Sequence, residues 1–555
     1  MPSLNWIGKD AVIKHHKEIP FHLLQQVDKY SFGDLSSNNL LINADNIMAL
    51  KALLPHYAGK IKCIYIDPPY NTGNEHWVYN DNVNSKEITE WLGKVVGKEL
   101  EDLSRHDKWL CMMYPRLLLA REFLTEDGII FISIDDNEQP LLRIIMDEIF
   151  HAKNMLANFI WQTEGNFDNQ AKVKICHEYI LAYCKDISSF PAPPVIDPNI
   201  KDNSKLFKQY IRNTVVKNGP KNPVSEIALP AGFPAEFKSG VISKRDDVWP
   251  HYESDLIIED YKLQVAVKAK SGWSSKKILQ EFIDSDFEVV KDSKGQETKF
   301  VLTKTGAIEG IKKRSSSQSH VISVLREVGS TQQASAYLDS IGMKFDYPKP
   351  VGLIKYLLSM IGEKNFTVLD FFGGSGTTAQ AVMELNHKDN GNRQYIVIEW
   401  DNNVCLNIAA KRLSNEINKA NVEDSNLVNF EQKLGFKYLT LGPTLFNEHN
   451  LVNENVQFEQ LARHIYYMET GNALSISLDN TPTSFLGVEN GLGVYLLYNN
   501  ENPVESLPLT IESLRSLPKY EGPKVVYGTT CKLSSTRLQQ EQITFKQIPY
   551  EVKVK

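Results

Sequence analysis

Apolar positions along the chain fall into short continuous runs separated by stretches with helical spacing. Residues 39–43 and 61–66 (Ile-Lys-Cys-Ile-Tyr-Ile) read as strands. Between them Ile47, Leu50, Leu53 and Leu54 share one face of a helix whose start Asp45 can cap. Further continuous runs occupy 128–134, 178–183, 366–372 and 395–399. Strands apolar on both faces belong in parallel sheets covered by helices. Helical spacing alternates with them at about 106–125, 138–150, 349–362, 377–386 and 402–417. The alternation predicts an α/β fold built on a doubly wound, mostly parallel sheet.

The runs form two groups, before about 185 and after about 345. The segment between is rich in Pro, Asn, Lys and Ser, as in Phe190-Pro-Ala-Pro-Pro and Asn218-Gly-Pro-Lys-Asn-Pro. It reads as a domain inserted into the sheet domain. After about 420, alternating patches such as Gly493-Val-Tyr-Leu-Leu-Tyr predict an α+β appendage. The expected organisation is an N-terminal segment at 1–35, sheet-domain halves at 36–188 and 343–418, an insert at 189–342 and a C-terminal interaction or dimerisation domain at 419–555.

Composition narrows the class. The chain has 555 residues, 42% hydrophobic and 23% charged, which is ordinary for a globular protein. No apolar run approaches the length of a membrane span, and the start lacks the basic-then-apolar pattern of a secretory signal. Six cysteines in so long a chain do not make a disulfide framework. They read as reduced, mostly buried thiols of a bacterial cytoplasmic protein. Cys176-His177 with Cys184 lacks the second pair a zinc site needs. Asp135, Asp136 and Glu138 suit a helix start rather than a magnesium site, so no metal is expected.

The net charge of -7 argues against a simple basic nucleic-acid binder, yet the charge is unevenly spread. Residues 190–344 carry 23 Lys and Arg against 19 Asp and Glu, whereas 415–555 carry 12 against 16. That pattern suits an insert that meets a polyanion and a C-terminal block that does not. Within the insert, Lys244 and Arg245, and Lys312, Lys313 and Arg314, are the candidate phosphate contacts. Trp249, Trp273 and Tyr210 read as core residues.

Two motifs carry chemistry. The run Ile64-Tyr65-Ile66 ends in Asp67-Pro68-Pro69-Tyr70. Strand ends are where open α/β sheets bind ligands. Two prolines remove two backbone donors and stiffen the loop. An acid and an adjacent carbonyl can accept both hydrogens of one NH2 group, and a tyrosine can stack on a flat ring. The combination is a holder for a planar heterocycle with an exocyclic amine. The second motif is Asp370-Phe371-Phe372-Gly373-Gly374-Ser375-Gly376-Thr377, a strand end, a glycine-rich turn and a helix start. It lacks the lysine of a phosphate-cradling loop. Glu399, at the end of the next strand, stands where an acid accepts from ribose hydroxyls. These features point to a nucleoside with a small non-phosphate tail.

These residues resemble the catalytic and S-adenosylmethionine motifs of amino-group DNA methyltransferases. The catalytic motif precedes the cofactor motif, which is the family's β arrangement. Leu4 to Lys9, Asn71-Thr72-Gly73, Pro115-Arg116-Leu117, Glu126-Asp127-Gly128, Ile134 to Glu138 and His177 to Leu181 resemble the modification subunit of type III restriction–modification systems. The resemblance covers 1–190 and 340–415 well, the insert weakly, and the tail through Ile465-Tyr-Tyr-Met-Glu-Thr-Gly.

The resemblance implies that Asp67 and the carbonyl of Pro68 hold the target amine, with Pro69 stiffening the loop and Tyr70 stacking on the base. It implies S-adenosylmethionine held by Asp370, Phe372, Gly373, Gly374, Ser375, Gly376 and Thr377, with Glu399 on the ribose. Asp45 is expected near the pocket, and Lys349, in Phe345-Asp-Tyr-Pro-Lys-Pro, beside the methionine moiety. The implied substrate is adenine N6 in double-stranded DNA, read by the insert and flipped into the pocket. The implied partners are a second copy of the chain and an ATP-dependent helicase–nuclease subunit. Cytosine N4 as the target, a free-standing modification enzyme and a catalytically idle recognition subunit are the alternatives.

Overall fold

The computed structural model describes residues 4–72, 105–163, 172–194, 209–293, 295–313, 321–424, 434–449, 451–454, 456–474, 483–498 and 506–548. The chain divides into two compact units, one of Met1–Pro191 with Ile322–Lys555 and one of Ala192–Val321.

Eleven strands among the described residues form the central sheet of the first unit. In chain order they are β1 (His22–Gln26), β2 (Phe32–Gly33), β3 (Leu40–Asn43), β4 (Ile61–Ile66), β5 (Leu124–Ile134), β6 (Met155–Gln162), β7 (His177–Cys184), β8 (Val324–Leu325), β9 (Thr367–Asp370), β10 (Gln394–Glu399) and β11 (Gly435–Thr444). The order across the sheet is β1-β11-β3-β10-β9-β4-β5-β7-β6-β8, with β2 paired to β11. The six strands from β11 to β5 run parallel. Every residue of β4 is buried, as expected of a strand covered on both faces.

The apolar run at 178–183 does become a strand, but β7 pairs antiparallel with both β5 and β6. Continuous hydrophobicity reports burial on two faces and not strand direction. Helices α1 (Asn46–Tyr57), α2 (Arg105–Phe123), α3 (Gln139–Met146), α4 (Val351–Ser359), α5 (Thr377–Asp389) and α6 (Lys411–Asp424) alternate with the strands. Asp45 caps α1, its carboxylate accepting from the backbone N–H of Ile47 and of Met48. Asp45→Ala is expected to lower stability by about 0.5–2 kcal/mol, read as a lower melting midpoint of the full chain.

The chain beyond 419 is not set apart from this sheet. Strand β11 lies beside β3, and helix α7 (Phe458–Thr470) packs on α1. Leu461, Ile465 and Leu486 share one core with Leu50, Leu53 and Trp109. A further four-stranded sheet formed by Phe485–Glu489, Leu492–Leu496, Lys524–Gly528 and Ile543–Gln547 follows. Among the described residues no helix is long and apolar enough to cross a membrane.

The second unit is β-rich, with two three-stranded sheets and one four-stranded sheet among its described residues. Its own core gathers Phe233, Leu256, Trp273, Phe282 and Phe300. Trp273 is buried as expected, but Tyr210 and Trp249 are exposed.

Candidate active site

Strands β4 and β9 are neighbours, with Val368 opposite Cys63 and Leu369 opposite Ile64. The register puts Asp370 and Asp67 at the same carboxyl edge of the sheet, although 303 positions separate them in the chain (370 − 67). Strand β10 flanks β9 on the other side and delivers Glu399 to that edge. Three carboxylates from three adjacent parallel strands thus converge where an open α/β sheet accepts ligands.

The loop after β4 is held by polar contacts that its own sequence does not reveal. Lys349 Nζ donates to Asp67 Oδ2 at 2.8 Å and lies 3.5 Å from Glu178 Oε2. The Tyr70 hydroxyl donates to the same Glu178 oxygen at 2.8 Å, and Lys349 Nζ sits 4.7 Å from the Tyr70 ring centroid. Asp67 Oδ1 is buried and has no hydrogen-bond partner among the described residues. Burial raises the Asp67 pKa above the ordinary carboxylate value, opposed by the charge of Lys349. Burial lowers that of Lys349, but Asp67 and Glu178 outweigh it and leave it raised. Each group thus lowers the cost of burying the other's charge.

Trp109 Nε1 donates to the carbonyl of Pro69 at 2.7 Å. Downstream, Asn71 adopts a left-handed conformation with φ 55 and is buried. Its amide donates to Glu138, a fully buried carboxylate that also meets His106 Nδ1 at 2.6 Å. Glu138 stands at the N-terminus of α3, as expected, and makes no side-chain capping bond there. Its carboxylate holds Asn71, the residue after Tyr70. Gly73 lies outside the described residues.

The glycine-rich turn is equally fixed. Gly373 N donates to the carbonyl of Ile398 at 2.9 Å, and a Cβ there would collide with Val397. Gly374 has φ +50, donates its N–H to Glu399 Oε2 at 2.8 Å and faces the ring of Phe345. Asp370 accepts from the backbone of Phe372 and from Thr378 Oγ1. Burial pushes both Asp370 and Glu399 up to about 7. Each carboxylate oxygen can accept a second hydrogen bond.

Not every predicted residue of this turn offers its side chain to a ligand. The ring of Phe372 is buried against Phe371. The hydroxyls of Ser375 and Thr377 accept from Arg412 Nη1 at 2.8 and 3.0 Å. Arg412 is fully buried, and desolvation lowers it to about 10. It locks the turn to α5 and α6. Asp45 lies 3.8 Å from Arg116, whose Nε donates to Asn46, and Asn46 in turn donates to the carbonyl of Phe371. Lys349, expected beside a cofactor tail, is bonded to Asp67.

Among the basic candidates of the second unit, Lys244 and Lys313 are exposed. Arg245 turns inward and donates to the carbonyls of Pro250, Thr305 and Gly306. Lys312 pairs with the nearly buried Asp292 at 2.5 Å. Arg314 lies outside the described residues. No metal-holding group of His, Cys, Asp or Glu occurs among the described residues.

The DNA methylase family model matches residues 61–411, more than half of the chain. The Mod subunit of the type III restriction-modification enzyme EcoPI from Escherichia phage P1 is 34% identical over 476 residues, covering 79% of this chain and 71% of that protein. The EcoP15I Mod subunit of Escherichia coli is 30% identical over 435 residues, covering 72% and 64%. The type II methyltransferase M.KpnI of Klebsiella pneumoniae is 28% identical over 428 residues, covering 73% and 90%.

Proposed function

Because the chain belongs to the DNA methylase family and is a DNA methyltransferase, we propose that it methylates adenine N6 within a short duplex sequence, as the modification subunit of a type III restriction–modification system. The observation that carries this reading is the meeting of Asp67 and the glycine-rich turn at the carboxyl ends of adjacent parallel strands. The methyl donor is S-adenosylmethionine, and the residues present suit it. The turn carries no lysine for a phosphate, and the edge offers the carboxylates of Asp370 and Glu399 to a cationic, hydroxyl-bearing ligand.

The donor supplies an activated methyl group on a sulfonium. The chain supplies position and acceptors. Asp67 Oδ1 and the Pro68 carbonyl take the two hydrogens of the amine, while the Pro69 carbonyl is already engaged by Trp109. Two acceptors in that arrangement favour a pyramidal nitrogen, whose lone pair can attack. Tyr70 stacks on the base, which must leave the duplex to reach it. Tyr70→Ala is expected to cost about 1–3 kcal/mol of base stacking. Tyr70→Phe keeps the ring but releases it from Glu178, so a smaller loss of rate is expected in single-turnover assays.

The elevated Asp370 and Glu399 give the cofactor step a pH signature. A cationic ligand favours their ionised forms. Affinity for S-adenosylmethionine is therefore expected to rise as pH increases through about 7, with protons released on binding. Calorimetry in buffers of different ionisation enthalpy measures that release. An affinity flat from pH 6 to 8 would count against both assignments.

The second unit, Ala192–Val321, reads the sequence. Its exposed Lys244 and Lys313 contact phosphates, and Arg245 supports the fold. The chain works as a homodimer, and cleavage belongs to a separate ATP-dependent helicase–nuclease subunit. Methylation-aware sequencing of DNA from cells with and without the chain tests the whole reading. N6-methyladenine confined to one motif is the expected result, and N4-methylcytosine would change the target. Exchanging the second unit for that of a relative is expected to move the methylated motif and leave the modified atom unchanged. A motif that follows the C-terminal region instead would overturn this division.

A further inference from the structure

Resting on the methyltransferase reading, we propose that Lys349 and Glu178 are positioning residues for the reacting amine: Lys349 holds Asp67 by Oδ2 so that Oδ1 is left to the substrate, and Glu178 ties Lys349 and the Tyr70 ring into the same network. Lys349 was expected beside a cofactor tail, but its ammonium is 2.8 Å from Asp67 Oδ2 and 3.5 Å from Glu178 Oε2. Its side chain is 8% exposed, so the ammonium has left water for these two carboxylates. A carboxylate whose second oxygen is buried without a partner is an unsatisfied acceptor. Such an atom in a native site calls for a donor. The substrate amine is the donor this pocket awaits.

Glu178 closes the arrangement. One of its oxygens takes the Tyr70 hydroxyl and lies beside Lys349. The stacking ring and the amine acceptor are therefore set by one lysine–glutamate pair drawn from β7 and from the segment before α4. That segment also places Phe345 against Gly374, so one short stretch touches both the glycine-rich turn and the Asp67 loop. Two carboxylates share the one ammonium.

The groups that face Asp67 are Lys349, Glu178, Tyr70, Tyr65 and Asp370. Among these, Lys349 alone is a cation, and it lowers the Asp67 pKa, while Glu178 raises it. Removing each should therefore move the acid limb of kcat in opposite directions. Lys349→Met leaves burial and Glu178 unopposed, so Asp67 protonates at higher pH and the limb moves up. Glu178→Gln keeps an acceptor for Tyr70 and removes a like charge, so the limb moves down.

The test uses the purified full chain, radiolabelled S-adenosylmethionine and duplex genomic DNA from cells lacking the protein. Methyl incorporation by the wild type in the same assay establishes the underlying reading separately. Lys349→Met is expected to lower kcat at neutral pH at least about 100-fold, with affinity for S-adenosylmethionine by calorimetry close to wild type. Lys349→Arg, which keeps the charge, is expected to recover much of the rate. The proposal is overturned if Lys349→Met loses cofactor affinity in step with rate, because the lysine then contacts the cofactor. It is also overturned if that variant is faster than wild type, because the lysine then competes with the amine, or if the two acid limbs do not separate.

Discussion

Asp67→Ala is expected to reduce methyl incorporation into DNA by about 10³-fold or more, while affinity for S-adenosylmethionine stays close to wild type. On the proposed reading Asp67 serves the substrate amine and not the cofactor. Its Oδ2 is engaged by Lys349, and its Oδ1 has no partner among the described residues. The substitution removes the acceptor and strips Lys349 of its shorter ion pair. Breaking a buried pair from one side can cost about 3–5 kcal/mol of stability. Here the cost is smaller, because the Asp67 side chain is 24% exposed and Glu178 remains 3.5 Å from the ammonium. Asp67→Asn separates the two effects. It keeps the shape and one neutral acceptor, so a melt near wild type with a large loss of rate is expected. Undiminished transfer by either variant would remove Asp67 from the chemistry.

Gly374→Val is expected to abolish measurable binding of S-adenosylmethionine in a folded protein. Gly374 has φ +50, where a β-branched residue is strained, and a Cβ would meet the Phe345 ring at 3.2 Å. Forcing one residue into that region costs roughly 1–3 kcal/mol. If the turn relaxes to avoid the strain, Gly374 N moves away from Glu399 and the cofactor edge is lost. Gly374→Ala is expected to be milder, since its methyl group can be met by a small shift of Phe345. Calorimetry on both variants, beside a thermal melt, checks the prediction. Wild-type affinity in folded Gly374→Val would show that the backbone there does not approach the ligand.

Both predictions rest on residues legible in the sequence. An acid, two prolines and a tyrosine after an apolar run are local features, as are three glycines between a strand and a helix. The parts that hold them are not local. Glu178 reaches Tyr70 across 108 positions, Glu138 reaches Asn71 across 67, and Arg412 reaches Ser375 across 37. Lys349 was legible as a special position, but its bond to Asp67 was not. Arg245 and Lys244 read alike as a basic pair, yet one donates to three carbonyls inside its unit and the other is exposed. Glu138 sits among acids that look like an ordinary helix start, and only its burial gives it away.

By itself the sequence marked the strands near 39–43, 61–66, 128–134, 178–183, 366–372 and 395–399, the helices that alternate with them, and a segment of different composition between the two groups. Hydrophobic period and turn residues act within a few positions of one another, so they can be read along the chain. Only the tertiary structure decided that β9 lies beside β4, that β7 runs antiparallel, that β11 joins the sheet from beyond 419, and which charge answers which. Periodicity states that a face will be covered but not by what. A buried charge is defined by the partner that permits its burial, and for Asp67 that partner, Lys349, arrives from the other end of the domain.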